Sequence, residues 1–160
     1  MEHFKNITDM HLRYGYPVPE NPLLSVVRCN TSCSAGERQF TTDFYMIGFK
    51  KLASGIIRYG RTKYDHDRGS MSFIKPRQVI QFKDLEFEED GFMLYIHEDY
   101  LSGSTLLSAI EKYSFFDYEV DEALHLTPSE EKTIWDLFFK IELEYANNPD
   151  EYSKGIILAH

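Results

Sequence analysis

Short apolar or alternating runs, each separated by turn-forming residues, fill the chain from Leu23 to His97. The runs are Leu23 to Cys29, Phe44 to Phe49, Gly55 to Tyr59, Met71 to Ile74, Val79 to Phe82 and Phe92 to His97. Their length and spacing are those of strands in a sandwich or barrel. Between them stand Ser34-Ala35-Gly36-Glu37, Gly60-Arg61-Thr62, Asp65-His66-Asp67-Arg68-Gly69, Lys75-Pro76-Arg77 and Glu88-Glu89-Asp90-Gly91. These segments supply turns through Gly, Pro or Asp. Parallel strands need crossovers of about a dozen residues or more, and no helical period fits in these gaps, so antiparallel pairing is expected. A jelly roll or closed barrel is the economical architecture because it leaves few strand edges unprotected.

The flanks read differently. The first 22 residues carry no clean period, and Tyr14-Gly15-Tyr16-Pro17-Val18-Pro19 followed by Asn21-Pro22 predicts an extended, turn-prone arm. After Tyr100 the apolar period lengthens from two to nearly four. Ser104 caps a short helix with Leu106, Leu107 and Ile110 on its apolar side. Thr127-Pro128-Ser129-Glu130 is a capping box with Pro at the first helical position. Ile134, Leu137, Phe138, Ile141 and Tyr145 then form an apolar stripe that needs a partner surface, widened by Trp135 and Phe139. Asn148-Pro149-Asp150-Glu151 repeats the cap, so a second antiparallel helix should follow, with Ile156, Ile157 and Leu158. It reaches His160 without the Gly or Asn that usually closes a helix, as expected of a truncated chain.

At 160 residues the chain suits one domain with a single core, and 12 Phe and 11 Tyr fit a β-rich body. A net charge of -9 repels a phosphate backbone, and Arg58, Arg61, Lys63 and Arg68 read as a solvated hairpin face. Cys29 and Cys33 lack the second pair that a structural zinc site needs and are expected to be reduced. No secretory leader or membrane-spanning run occurs, which predicts a cytoplasmic protein without membrane contact.

Catalytic metal sites on strands use His and carboxylate ligands two residues apart, and no His-x-His occurs among the six histidines. His66 and His97 are the carboxylate-flanked ones. A nucleophile elbow and a glycine-rich phosphate loop are also missing. The expectation is therefore a binding module without cofactor, metal or catalytic residues, rather than an enzyme. Tyr45, Arg58, Tyr95 and His97 each interrupt an apolar strand, where an unpartnered polar group is costly, and are the candidate ligand-binding residues. Phe44, Met46 and Gly48 share one strand face and Tyr45, Ile47 and Phe49 the other; likewise Phe92, Leu94 and Ile96 oppose Met93, Tyr95 and His97. Alternation alone does not decide which face is inward.

The runs Asp43 to Phe49, Ser54 to Gly60 and Gly69 to Val79, the last ending in Pro76-Arg77-Gln78-Val79, resemble the N-terminal cupin-like half of AraC-type transcription regulators. Gly91 to His97 and the stretch from Phe115 to the Thr127 cap continue the likeness, which covers roughly Leu23 to His160. The resemblance implies a mostly β fold with α: an N-terminal arm at 1–22, a cupin-like jelly-roll β-barrel at 23–103, and a helical dimerisation hairpin at 104–160. It further implies an unidentified small-molecule effector, homodimer contacts through Leu137, Ile141 and Tyr145, and DNA binding only through a following domain absent from this chain. The alternative is a small cupin-type metal-dependent enzyme, an isomerase or oxygenase.

Overall fold

The computed structural model describes residues 1–29, 36–50, 52–59, 62–63, 70–87, 90–116, 124–147 and 150–160. Cys33, Arg61, Arg68, the Asp65-His66-Asp67 turn and the Asn148-Pro149 cap lie outside them. Ten strands form two five-stranded sheets among the described residues. They are β1 (Glu2–Phe4), β2 (Leu24–Cys29), β3 (Arg38–Thr42), β4 (Phe44–Lys50), β5 (Leu52–Tyr59), β6 (Thr62–Lys63), β7 (Ser70–Ile74), β8 (Ile80–Phe87), β9 (Gly91–His97) and β10 (Leu124–His125). The first sheet runs β1-β3-β8-β5-β6 and the second β10-β7-β4-β9-β2. All pairs are antiparallel except β1 with β3.

The five helices are α1 (Ile7–Tyr14), α2 (Glu98–Leu101), α3 (Thr105–Ile110), α4 (Pro128–Ala146) and α5 (Ser153–Ala159), with a 3-10 turn at Ser114–Phe116. The fold is mixed α/β, and the expected closed barrel gives way to two open sheets. The physical reason lies in the second sheet, whose two faces are both covered. On the face toward the first sheet, Phe44, Met46, Ile74, Met93 and Tyr95 pack with Phe40 and Ile80 of that sheet and with Phe4, Ile7 and Met10. On the other face, Tyr45, Phe49, Met71, Phe92, Leu94 and Ile96 pack under the helical segment. The open alternation of the sequence resolves here: neither face is outward, and Gly91 through Ile96 of β9 are all buried. Strands buried on both sides read as continuous apolar runs, as Gly91 to Ile96 does.

Residues 1–22 are more ordered than an extended arm. Asn6 accepts from the Asp9 amide at 2.8 Å to start α1, and Gly15, at φ 74°, closes it in the left-handed region that glycine enters without steric cost. The helix escapes periodic reading because it is only two turns long and buries Ile7, Met10 and a polar residue, His11. β3 likewise went unanticipated, since Arg38-Gln39-Phe40-Thr41-Thr42 carries one large apolar side chain.

Lys75-Pro76-Arg77 makes the predicted turn, carrying the chain from β7 in one sheet to β8 in the other. It is secured by the Arg77 amide donating to Thr42 O at 2.6 Å and by buried Gln78, whose Oε1 accepts from the Lys75 amide. The Thr127 capping box opens α4: Glu130 accepts from the Thr127 amide at 2.8 Å while Thr127 Oγ1 accepts from the Glu130 amide. The Thr127 amide, and with it the Thr127 hydroxyl, donates to the Glu130 carboxyl and holds it below its usual range.

Phe92 is the keystone of the helical interface. It is fully buried, stacked on Phe138 at 5.4 Å and edge-on to Trp135 at 4.9 Å, and the Arg28 guanidinium lies 5.0 Å above its ring. Phe92→Ala would leave a cavity between sheet and α4 that two large rings cannot collapse into, a loss of about 3–5 kcal/mol. Urea unfolding should show the midpoint falling accordingly; a shift worth under about 1 kcal/mol would mean that the helices are not seated on the sheet through this residue.

Candidate functional site

Of the four candidate ligand residues, Tyr45, Tyr95 and His97 do not converge. Tyr45 and Tyr95 lie on opposite faces of the second sheet, opposite Ile96 and Met46 respectively. Tyr45 is buried on the helical side, 5.4 Å edge-on to Phe116; burial raises its phenol's pKa, with Glu98 and Glu111 adding to the shift. Tyr95 is buried between the sheets, against the rings of His11 (5.5 Å) and Phe44 (6.2 Å). His97 ends β9, and its Nδ1 accepts from the Asp99 amide at 3.2 Å, so it serves as the N-cap of α2. The Arg58 backbone pairs with Gln81 and Lys63, while its side chain falls outside the described residues.

The residues expected at a dimer interface are engaged within the chain itself. Ile141 is buried on the second sheet, Leu137 lines a cavity under α4, and Tyr145 Oη accepts from the Glu20 amide at 2.7 Å. Phe139 and Leu143, one turn apart on α4, are the large apolar side chains that this helix leaves exposed, at 43% and 48%. The Arg28 guanidinium reaches Glu142 and lies 5.9 Å from the Phe139 ring, joining this face to the edge strand β2.

The cavity under α4 has a volume of about 350 Å³. Leu24, Ile47, Leu94 and Ile96 of the second sheet form its floor; Leu106 and Ile110 of α3, Ile134, Leu137 and Ile141 of α4, and Ile157 and Leu158 of α5 form its walls. Its described lining contains no Asp, Glu, Lys or Arg, and its polar groups are those of Tyr100, Tyr113 and His160. Tyr100 is buried, which raises its phenol's pKa. Exposed Tyr113, Ala159 and His160 mark the mouth. A cavity of this size with apolar walls and few polar groups has the character of a small-molecule site. None of Tyr45, Tyr95 or His97 lines it. The sequence pointed to polar interruptions of strands; this cavity is lined by apolar positions, where three helices meet a sheet.

Among the described residues, no three His, Cys, Asp or Glu side chains gather where they could hold a metal ion. Cys29 is a buried free thiol on β2. No helix among the described residues is long and apolar enough to cross a membrane. Compared with known families and with curated proteins, the chain matches no family model and no curated sequence.

A further buried polar residue is His11. Its Nδ1 donates to Pro17 O at 2.6 Å, its ring lies between those of Tyr16 and Tyr95, and its Nε2 has no partner among the described residues. Burial lowers its pKa below the ordinary value of 6.5, against a smaller opposing effect from the Pro17 bond. The unfolded chain therefore takes up a proton near pH 6.5 while the folded one resists it, so this contribution is fully present above that pH and is lost as pH falls below it. Wild-type stability should decline between about pH 6.5 and pH 5 more steeply than that of His11→Gln, as read by urea midpoints at several pH values. Parallel slopes would show that His11 takes no part in the acid response.

Proposed function

We propose that this chain is the effector-binding and dimerisation domain of an AraC-type transcription regulator, acting on DNA only through a further domain. The observation that carries the reading is the cavity of about 350 Å³ enclosed jointly by the sheet and by α3, α4 and α5. A ligand there touches both layers, so its binding energy bears directly on how the helical segment sits on the sheet. A site confined to the inter-sheet core would lack that leverage, because an effector shifts only the equilibrium between states that it contacts differently.

The sheets are read as the opened halves of a cupin-like jelly roll. This reading is supported by the chain crossing between sheets at β2 to β3, β3 to β4, β4 to β5, β7 to β8 and β8 to β9. The effector position then moves from the strand residues named from the sequence to the layer between sheet and helices. Pairing is assigned to the exposed Phe139–Leu143 face rather than to Leu137, Ile141 and Tyr145, which the chain's own layers engage.

Sedimentation velocity tests the pairing. The chain should run as a dimer at micromolar concentration, and Leu143→Glu should shift it toward monomer by about tenfold or more in dissociation constant, because a charge would be buried against an apolar partner. Leu137→Asp, facing the cavity, should instead lower the melting temperature. A wild-type chain that stays monomeric at several hundred micromolar would overturn the dimerisation half of the reading.

A further inference from the structure

We propose that the cavity between the second sheet and the helices takes an uncharged, chiefly hydrocarbon molecule the size of two fused rings, carrying one oxygen that hydrogen-bonds to the Tyr100 hydroxyl. This rests on the reading of the cavity as the effector site and names the class of effector.

Three observations carry it. The first is size: an apolar cavity of roughly 150 Å³ accommodates benzene, so the 350 Å³ present here suits about twice that hydrocarbon. The second is charge. Inward of His160 at the mouth, the described walls offer no Asp, Glu, Lys or Arg side chain, so an ionised ligand seated among them would lie without a counter-ion, and burying an unpaired charge is far costlier than burying a neutral group. The third is Tyr100, which lines the cavity and is 3% exposed. Its ring face meets the Lys154 ammonium at 5.3 Å, and its hydroxyl has no hydrogen-bond partner among the described residues. A hydroxyl on the cavity lining that bonds to no described residue is available to a ligand oxygen. Such a group discriminates between ligands that differ only in one oxygen, since binding the analogue without it leaves the hydroxyl unpaired.

The mouth also constrains the ligand. Tyr113, Ala159 and His160 are exposed around it, and Ala159 is the small one. A bulky side chain at Ala159 would obstruct entry without entering the core.

Three matched probes, 1-naphthol, naphthalene and 1-naphthoate, test the proposal by titration into the intact chain near pH 7. The expected order is 1-naphthol tightest, naphthalene weaker by about three- to tenfold for the lost hydrogen bond, and 1-naphthoate weaker than 1-naphthol by about a hundredfold or more for its unpaired charge. Tyr100→Phe should bring 1-naphthol down to the affinity of naphthalene and leave naphthalene unchanged. Ala159→Trp should weaken all three while the melting temperature of the free protein holds.

Equal binding of the anion and the naphthol would overturn the proposal, as would insensitivity of 1-naphthol to Tyr100→Phe or failure of both 1-naphthol and naphthalene to bind the folded protein. So would probe affinity that falls as the protein is concentrated, which would show a second copy filling the cavity. Sedimentation with and without 1-naphthol separates this proposal from the regulator reading. Binding in the expected order with no change in self-association would uphold the ligand class and sink the regulator reading. A dimer whose cavity binds none of the probes would do the reverse.

Discussion

Burial of the second sheet on both faces is the constraint from which the rest of the architecture follows. β4 and β9 lie in its interior and contribute apolar side chains to both layers, so neither layer can be removed without exposing a full face. Fully burying one such side chain is worth about 1.5–3 kcal/mol, against a net domain stability of only about 5–15 kcal/mol. The helices are thus structural necessities. Gly48 shows how closely the strands fit. A Cβ there would fall 2.5 Å from Ser72 Oγ and 2.8 Å from Met93 Sδ, so the missing side chain gives Met93 its room between the sheets. At the free edge of the sheet, Arg28 of β2 reaches across to Glu142 and Phe139 of α4, placing a charge where edge strands would otherwise invite pairing with another chain.

The cavity is a by-product of the same layering. The second sheet and helices α3, α4 and α5 leave a gap between them, and it is lined by the apolar faces of those elements. Ile47, Leu94 and Ile96 face the helices because their alternate neighbours, Met46, Met93 and Tyr95, face the first sheet. Alternation that serves packing on one side therefore furnishes a binding surface on the other. The acidic balance of the chain does not reach into this space, whose described walls carry no Asp or Glu side chain.

Much of the scaffold was legible in the residues. Six strands lie close to their expected positions, from Leu24–Cys29 to Gly91–His97, and the Thr127 box starts α4 at Pro128. What escaped is instructive. β3 and α1 carry too few apolar residues to show a period, and they are held by long-range partners: β3 by pairing with β1 and β8, and α1 through His11 against the Tyr95 ring. The choice of inward face stayed open for another reason. Alternation separates two sets of residues but does not say that both are buried, and the continuous burial of Gly91 to Ile96 is the local sign of a three-layer arrangement. The site was illegible because no single element contains it. Leu24, Leu94, Ile110, Ile134 and Ile157 come from five elements, and each alone looks like ordinary core.

The position of β9 in the second sheet bears on how the chain comes to be made. Among the described strands β2 pairs with β9 alone, and β4 needs β9 to complete its second side. Some sixty residues separate the end of β2 from the start of β9. At a ribosomal rate of about 5–20 residues per second, β2 waits several seconds for its partner with its backbone amides and carbonyls unpaired. Non-local pairing of this kind is slow to form and open to misassociation meanwhile. Assembly of the central layer is thus a late event, and a nascent chain arrested before Gly91 would display the sticky, half-built sheet that molecular chaperones recognise.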